Sequence, residues 1–175
     1  MLTGSCFFDF GVESHRFHEL VERAISEHVS LMLTWRAFAE RIGDGLDPDA
    51  RLLAAHEVIR DRQKQRRFRQ AVFVMVHRHG DAPSDPVTLR AAIKIAGMDG
   101  DVVEEAIERD GVRLLDTVRE AADDAGVDGL PAVVGGGPAV TVRLTPAATN
   151  GNARPRLDLI EKVAADDGIW SLQKP

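Results

Sequence analysis

The first 35 residues hold two apolar strand candidates joined through an amphipathic helix by short links, and this constrains the fold more than any other feature. Leu2 to Phe10 is apolar and aromatic and is ended by Gly11. Phe17, Leu20, Val21, Ala24, Ile25 and His28 then recur at i, i+3, i+4, i+7, i+8 and i+11, one face of a helix. Arg16, Glu19, Glu22, Arg23 and Glu27 take the opposite face. Val29 to Trp35 reads as a second strand. Strand, helix and strand with short links imply a right-handed crossover between parallel strands.

The next stretch reads as helical. Residues 36–47 form a connection ending in Asp47-Pro48, an N-cap followed by proline at the first helical position. Helices are expected at about 48–61 and 66–79, broken by the polar stretch Arg60 to Arg67. Asp85-Pro86 opens another, closed by Gly97. Asp101 to Asp110 and Val112 to Ala125 read as two more, the second stopped by Gly126. Strand character returns at Ala132 to Val134 and at Ala139 to Leu144. The loop between them, Gly135-Gly136-Gly137-Pro138, is too short for a parallel crossover, so the pair is a hairpin. It is not a phosphate loop, because the Lys-Ser/Thr of that motif is missing. A last helix covers about Pro155 to Ala165, and Gly168-Ile169-Trp170 is a tail. The order β-α-β, helical block, β-β-α is that of an α/β protein with the thioredoxin fold. Residues 1–47 and 127–175 form its two halves, and 48–126 an inserted all-helical subdomain.

With 175 residues and 44% hydrophobic content, the chain can bury one sizeable core. Its formal net charge of -6 argues against nucleic-acid binding and against an anionic membrane surface. No apolar run approaches the ~18 residues of a membrane span. No basic segment precedes an apolar stretch at the N-terminus, so a cytoplasmic location is expected. The single cysteine, Cys6, excludes an intrachain disulfide and sits mid-strand, the setting of a buried small hydrophobe.

Phe7-Phe8-Asp9-Phe10 before the first helix, Gly129-Leu130-Pro131 before the third strand, and the helix running into Ala122-Asp123-Asp124-Ala125-Gly126-Val127 resemble the DsbA-like superfamily over nearly the whole chain. Its cytoplasmic branch is the most similar: kappa-class glutathione transferases, 2-hydroxychromene-2-carboxylate isomerases and mycothiol-dependent reductases. The resemblance implies that Leu130-Pro131 is a cis pair whose neighbouring backbone groups bind a substrate or thiol cofactor. It implies a low-molecular-weight thiol such as mycothiol or glutathione as cofactor, a small molecule or peptide as the partner in the cleft, and is compatible with a homodimer. In the thiol-redox members Cys-Pro-x-Cys would cover Val12-Glu13-Ser14-His15, and the transferases and isomerases place a serine at Val12. Val12 can supply neither group.

Several residues remain as candidates. Ser14 and His15 at the helix start could assist a bound thiolate or act in proton transfer; equally, Ser14 could cap the helix and His15 be a solvated first-turn residue. Glu13 lies in the positive field of the helix N-terminus, where its carboxylate would answer free N–H groups and compete with a bound thiolate. Val12, Glu13, Leu130 and Pro131 are the expected ligand-binding positions. His15 and His18 share a face, but no metal motif is present; they, His77 and His79 read as surface histidines. Arg60, Arg62, Lys64, Arg66, Arg67 and Arg69 form a basic cluster, read as a solvated helix junction. Trp35, Phe38, Phe73 and Val76 could line a cleft or fill the core. Three functions follow: an enzyme that binds a small thiol or hydrophobic ligand in the cleft beside Pro131 with Ser14 or His15 assisting, a redox-dead binding module, or a structural or oligomerisation partner.

Overall fold

The computed structural model describes residues 1–40, 42, 45–145 and 152–165. The tail at Gly168-Ile169-Trp170 lies outside them. Strand β1 (Leu2–Phe8) leads through α1 (Val12–Ser26) to β2 (Leu31–Ala37). Four helices follow: α2 (Pro48–Val58), α3 (Arg62–Val74), α4 (Pro86–Ile95) and α5 (Gly100–Asp124). Then come β3 (Ala132–Val134), β4 (Val140–Thr141) and α6 (Arg154–Ala165). The sheet order is β2-β1-β3-β4, with β1 parallel to β2 and antiparallel to β3, and with β3–β4 an antiparallel hairpin. This is the thioredoxin fold with an all-helical insertion.

Local chemistry explains where the elements start and stop. Strand β1 ends at Phe8 rather than Phe10, because the Asp9 carboxylate accepts the Gly11 N–H at 3.0 Å and turns the chain out of the sheet. Strand β2 begins at Leu31 rather than Val29. The Val29 N–H donates to the Ala24 carbonyl and closes α1, with His28 at φ 59°. Ile25 and His28, expected on the apolar face, are exposed for the same reason. Asp47 caps α2 through the Ala50 N–H at 2.7 Å, and Asp85 caps α4 through the Val87 N–H at 2.8 Å. Helix α3 starts at Arg62, four residues earlier than expected, because Asp61 accepts the Lys64 N–H.

Helix α5 is one helix of 25 residues, not two. Gly111 does not stop it; a Cβ there would sit 2.8 Å from Leu46 Cδ1 and 3.1 Å from Ala54 Cβ. The glycine is a point of close approach between α5 and α2. At its other end α3 tightens into no ordinary cap but widens into a π-turn, Met75–His79, closed by Gly80.

Side-chain alternation along β1 divides the core. Cys6 and Phe8 face a large cluster with Phe17 and Leu20 of α1 and Phe68, Val72 and Phe73 of α3. Phe7 faces a smaller cluster on the other side with Val118 and Ala122 of α5. Phe8 is the centre of an aromatic group, its ring 5.4 Å from Trp35, 4.9 Å from His56 and 5.5 Å from Phe10.

Candidate functional site

The turn from β1 into α1 is built around Asp9. The Ser14 hydroxyl donates to Asp9 Oδ1 at 2.7 Å and accepts the Asp9 N–H at 3.3 Å. Ser14 is fully buried. It is therefore neither a helix cap nor open to a ligand: the N-cap is Gly11, which has no side chain to cap with. Glu13 does not answer the helix end either. Its carboxylate pairs with Arg16 at 2.6 Å, and Arg16 also donates to the Leu144 carbonyl. Val12 is half exposed at the first helical position. Ser14→Ala should cost about 1.5–3 kcal/mol, since it leaves a carboxylate short of a hydrogen bond in a closed turn; urea unfolding measures it.

His15 is not a solvated residue. Its ring stacks on His77 at 4.5 Å with 9° between planes, and Phe73 lies 5.5 Å away. The π-turn that ends α3 brings His77 to this place. The His77 Nε2–H donates to the Phe10 carbonyl at 2.9 Å, because a carbonyl can only accept. His15 Nε2 lies 3.5 Å from Glu19. Burial lowers the His15 pKa, Glu19 opposes this, and His77 and Arg78 add to it. Neither histidine is among the residues lining the two grooves described below.

Behind this pair lies a buried polar set, of which His18 and Arg69 were expected at the surface. His18 is packed on Phe73 at 4.9 Å and against Trp35, and burial with the nearby Arg69 charge holds its pKa well down. Arg69 is buried with its guanidinium 4.1 Å over the Trp35 ring. Desolvation pulls its pKa to about 10. His56, fully buried, lies between Arg69 at 3.3 Å and Glu57 at 3.0 Å. Of the basic cluster, Arg66 pairs with Glu22 across to α1. Arg66 and Arg69 therefore tie α3 to α1 and to the core, whereas Arg60, Arg62, Lys64 and Arg67 are exposed, as in a solvated junction. A signal for this existed: Phe68, Arg69, Val72 and Phe73 share one helical face.

A groove of about 780 Å³ opens at the C-terminal end of β1. Phe38, Leu53 and Leu130 are among its apolar lining residues, and Asp9, Glu40, Asp47, Asp49 and Asp128 are its acidic ones. The Leu130–Pro131 peptide bond is cis and Pro131 is buried. Of the expected site residues, Leu130 lines this groove; Val12, Glu13, Ser14, His15 and Pro131 do not. Asp9 links the two regions through its bond to Ser14. Trp35 and Phe73 belong to the core. A second depression of about 740 Å³ lies at the other end of β1, beside Met1, His28 and Leu157. Among the described residues no cluster of three or more His, Cys, Asp or Glu is placed to hold a metal ion, and no helix is long and apolar enough to cross a membrane.

Sheet order, helical insertion and the proline ahead of β3 define a DsbA-like thioredoxin fold, and solved structures agree. The chain is similar to a thioredoxin-like oxidoreductase from Silicibacter pomeroyi DSS-3, with 16% identity, 92% of this chain and 85% of that one covered, and a TM-score of 0.67. It is similar to the oxidoreductase NmDsbA1 from N. meningitidis, at 18% identity, 91% and 81% coverage and a TM-score of 0.59. It also matches DsbL from Salmonella enterica serovar Typhimurium at 15% identity, 94% and 88% coverage and a TM-score of 0.52. No family model and no curated protein matches the sequence.

Proposed function

We propose that this protein binds a small molecule or extended peptide in the groove beside Leu130, without dithiol chemistry. The observation that carries the reading is the groove itself, at the strand ends where α/β folds place ligands. Cys6 is fully buried and burial pushes its thiol pKa far up, so it is no substitute for a cysteine at Val12. Ligand class follows from the lining. An apolar lining with five carboxylates, and no cationic side chain among the described lining residues, suits an apolar ligand carrying a positive group. Glutathione, with carboxylates of its own, is disfavoured by the same charge. One observation favours the alternative of a structural module without a ligand: Ser14, the nearest hydroxyl to the helix start, is sealed against Asp9.

The test is a thermal-shift screen with glutathione, mycothiol, aromatic amines and the matching aromatic carboxylates, with insulin reduction assayed in parallel. The expected result is that amines raise the midpoint, that a Glu40→Lys/Asp49→Lys variant loses at least tenfold in affinity, and that no insulin is reduced. Shifts with the carboxylates alone, or with nothing, would overturn the ligand assignment; insulin reduction would overturn the absence of dithiol chemistry.

A further inference from the structure

Strand β2 is one edge of the sheet, and among the described residues nothing guards its first half. The direction of its backbone groups is fixed by two bonds. The Phe38 N–H donates to the Phe8 carbonyl of β1 at 2.7 Å, whereas the Ala37 N–H points the other way, to Glu57 at 2.7 Å. In a parallel ladder alternate residues face the neighbouring strand. Met32, Thr34 and Arg36 therefore bond to β1, and Leu31, Leu33 and Trp35 turn their N–H and C=O groups outward. Glu57 closes this edge at Ala37, and Trp35 is buried. Leu31 and Leu33 remain, and among the described residues no hydrogen bond answers their outward amides. Exposed edge strands ordinarily carry lysine, proline or a bulge that blocks further pairing. Leu31-Met32-Leu33-Thr34-Trp35 has none of these, and Met32 between the two open residues is 63% exposed.

We infer that β2 pairs with β2 of a second copy of this chain, antiparallel about a twofold axis at Met32, joining two four-stranded sheets into one. The occupant follows from the groups that need partners. Pairing that satisfies both open residues reciprocally sets Leu31 against the partner's Leu33, which exchanges N–H and C=O bonds in both directions. Met32 then falls on the axis as a non-hydrogen-bonded pair with its own copy, and the two exposed thioethers cover one another. A second copy brings the same two open residues in the required order and, with them, an exposed Met32 to cover Met32 at the axis. This inference does not rest on the groove, which lies at the far end of the strands.

Sedimentation equilibrium of the wild-type protein, with mild oxidation of a Met32→Cys variant, tests it. The axial pair brings the two Cα atoms to about 4.5 Å, within the range a disulfide spans. The native Cys6 is buried and gives no background. Expected are a concentration-dependent dimer, a covalent dimer of Met32→Cys, none of the exposed-helix control Leu159→Cys, and at least tenfold weaker association of Met32→Lys with its melting midpoint unchanged at low concentration. A wild-type monomer at every concentration overturns the inference and leaves the edge to a strand of another kind. A dimer that Met32→Lys does not weaken overturns it as well.

Discussion

Gly4→Ala should be the most damaging single methyl group in this protein. Gly4 lies in the middle of β1 at φ 144°, a conformation open essentially to glycine alone. A Cβ built there falls 2.1 Å from the Val134 carbonyl oxygen and 2.9 Å from its carbon. Backbone, not a movable side chain, is in the way. Relief requires parting β1 from β3 just where their pairing begins at Ser5 and Val134. The expected loss is about 4 kcal/mol or more, beyond the ordinary range for point substitutions. For a chain of this length that lowers the melting midpoint by roughly 10 °C. Calorimetry beside Gly136→Ala, where a Cβ meets nothing within 4 Å, provides the comparison. Equal midpoints for the two variants would show the clash to be absent.

Mild acid should destabilise the fold steeply. His18 and His56 are buried, and burial holds both pKa values below the ordinary 6.5. Glu22 lies 4.0 Å from His18 and Glu57 3.0 Å from His56, but these carboxylates do not reverse the direction set by desolvation. For His56 the geometry gives a second reason. Arginine only donates, so His56 Nε2 accepts from Arg69 and its Nδ1–H donates to Glu57. Protonating Nε2 would set donor against donor. The unfolded chain takes up these protons near pH 6.5 and the folded chain does not. Stability is therefore full above pH 6.5 and falls below it, by about 1.4 kcal/mol per pH unit for each histidine until its folded pKa is reached. Urea unfolding at pH 7.5 and at pH 5.5 should differ by roughly 2 kcal/mol or more, and His18→Phe, which keeps the stacking on Phe73, should reduce that difference. A difference that stays the same in His18→Phe would remove His18 from the account.

The fold was legible because its punctuation is chemical. Asp47-Pro48, Asp85-Pro86 and Gly97 act where caps act in any helix, and the glycine-rich link before Val140 could join only a hairpin. What escaped the sequence depends on tertiary contact. Gly111 has the form of a helix stop, and only Leu46 and Ala54 pressing on it show that it is a packing point. The π-turn of Met75–His79 has no residue signature, so His77 could not be placed beside His15 from spacing alone. Ser14 at a helix start reads as a cap, because its bond to Asp9 requires knowing that β1 ends at Phe8. Arg69 was hidden among five other basic residues that differ from it only in the face they occupy. At the candidate site the proline and Leu130 were legible, while the acidic lining was not: Asp9, Glu40, Asp47 and Asp128 come from separate segments.

The insertion between β2 and β3 also sets an order of events. Strand β1 is central, but its two neighbours arrive at very different times. Cys6 is matched with Trp35 soon after it is made, and with Val133 only when most of the chain exists. During synthesis the β1–α1–β2 unit therefore leaves the ribosome with one side of its middle strand bare, and must remain so while α2 to α5 are translated. Pairings this distant in sequence form slowly. The period before β3 docks is thus when a nascent chain of this protein has the most need of a chaperone.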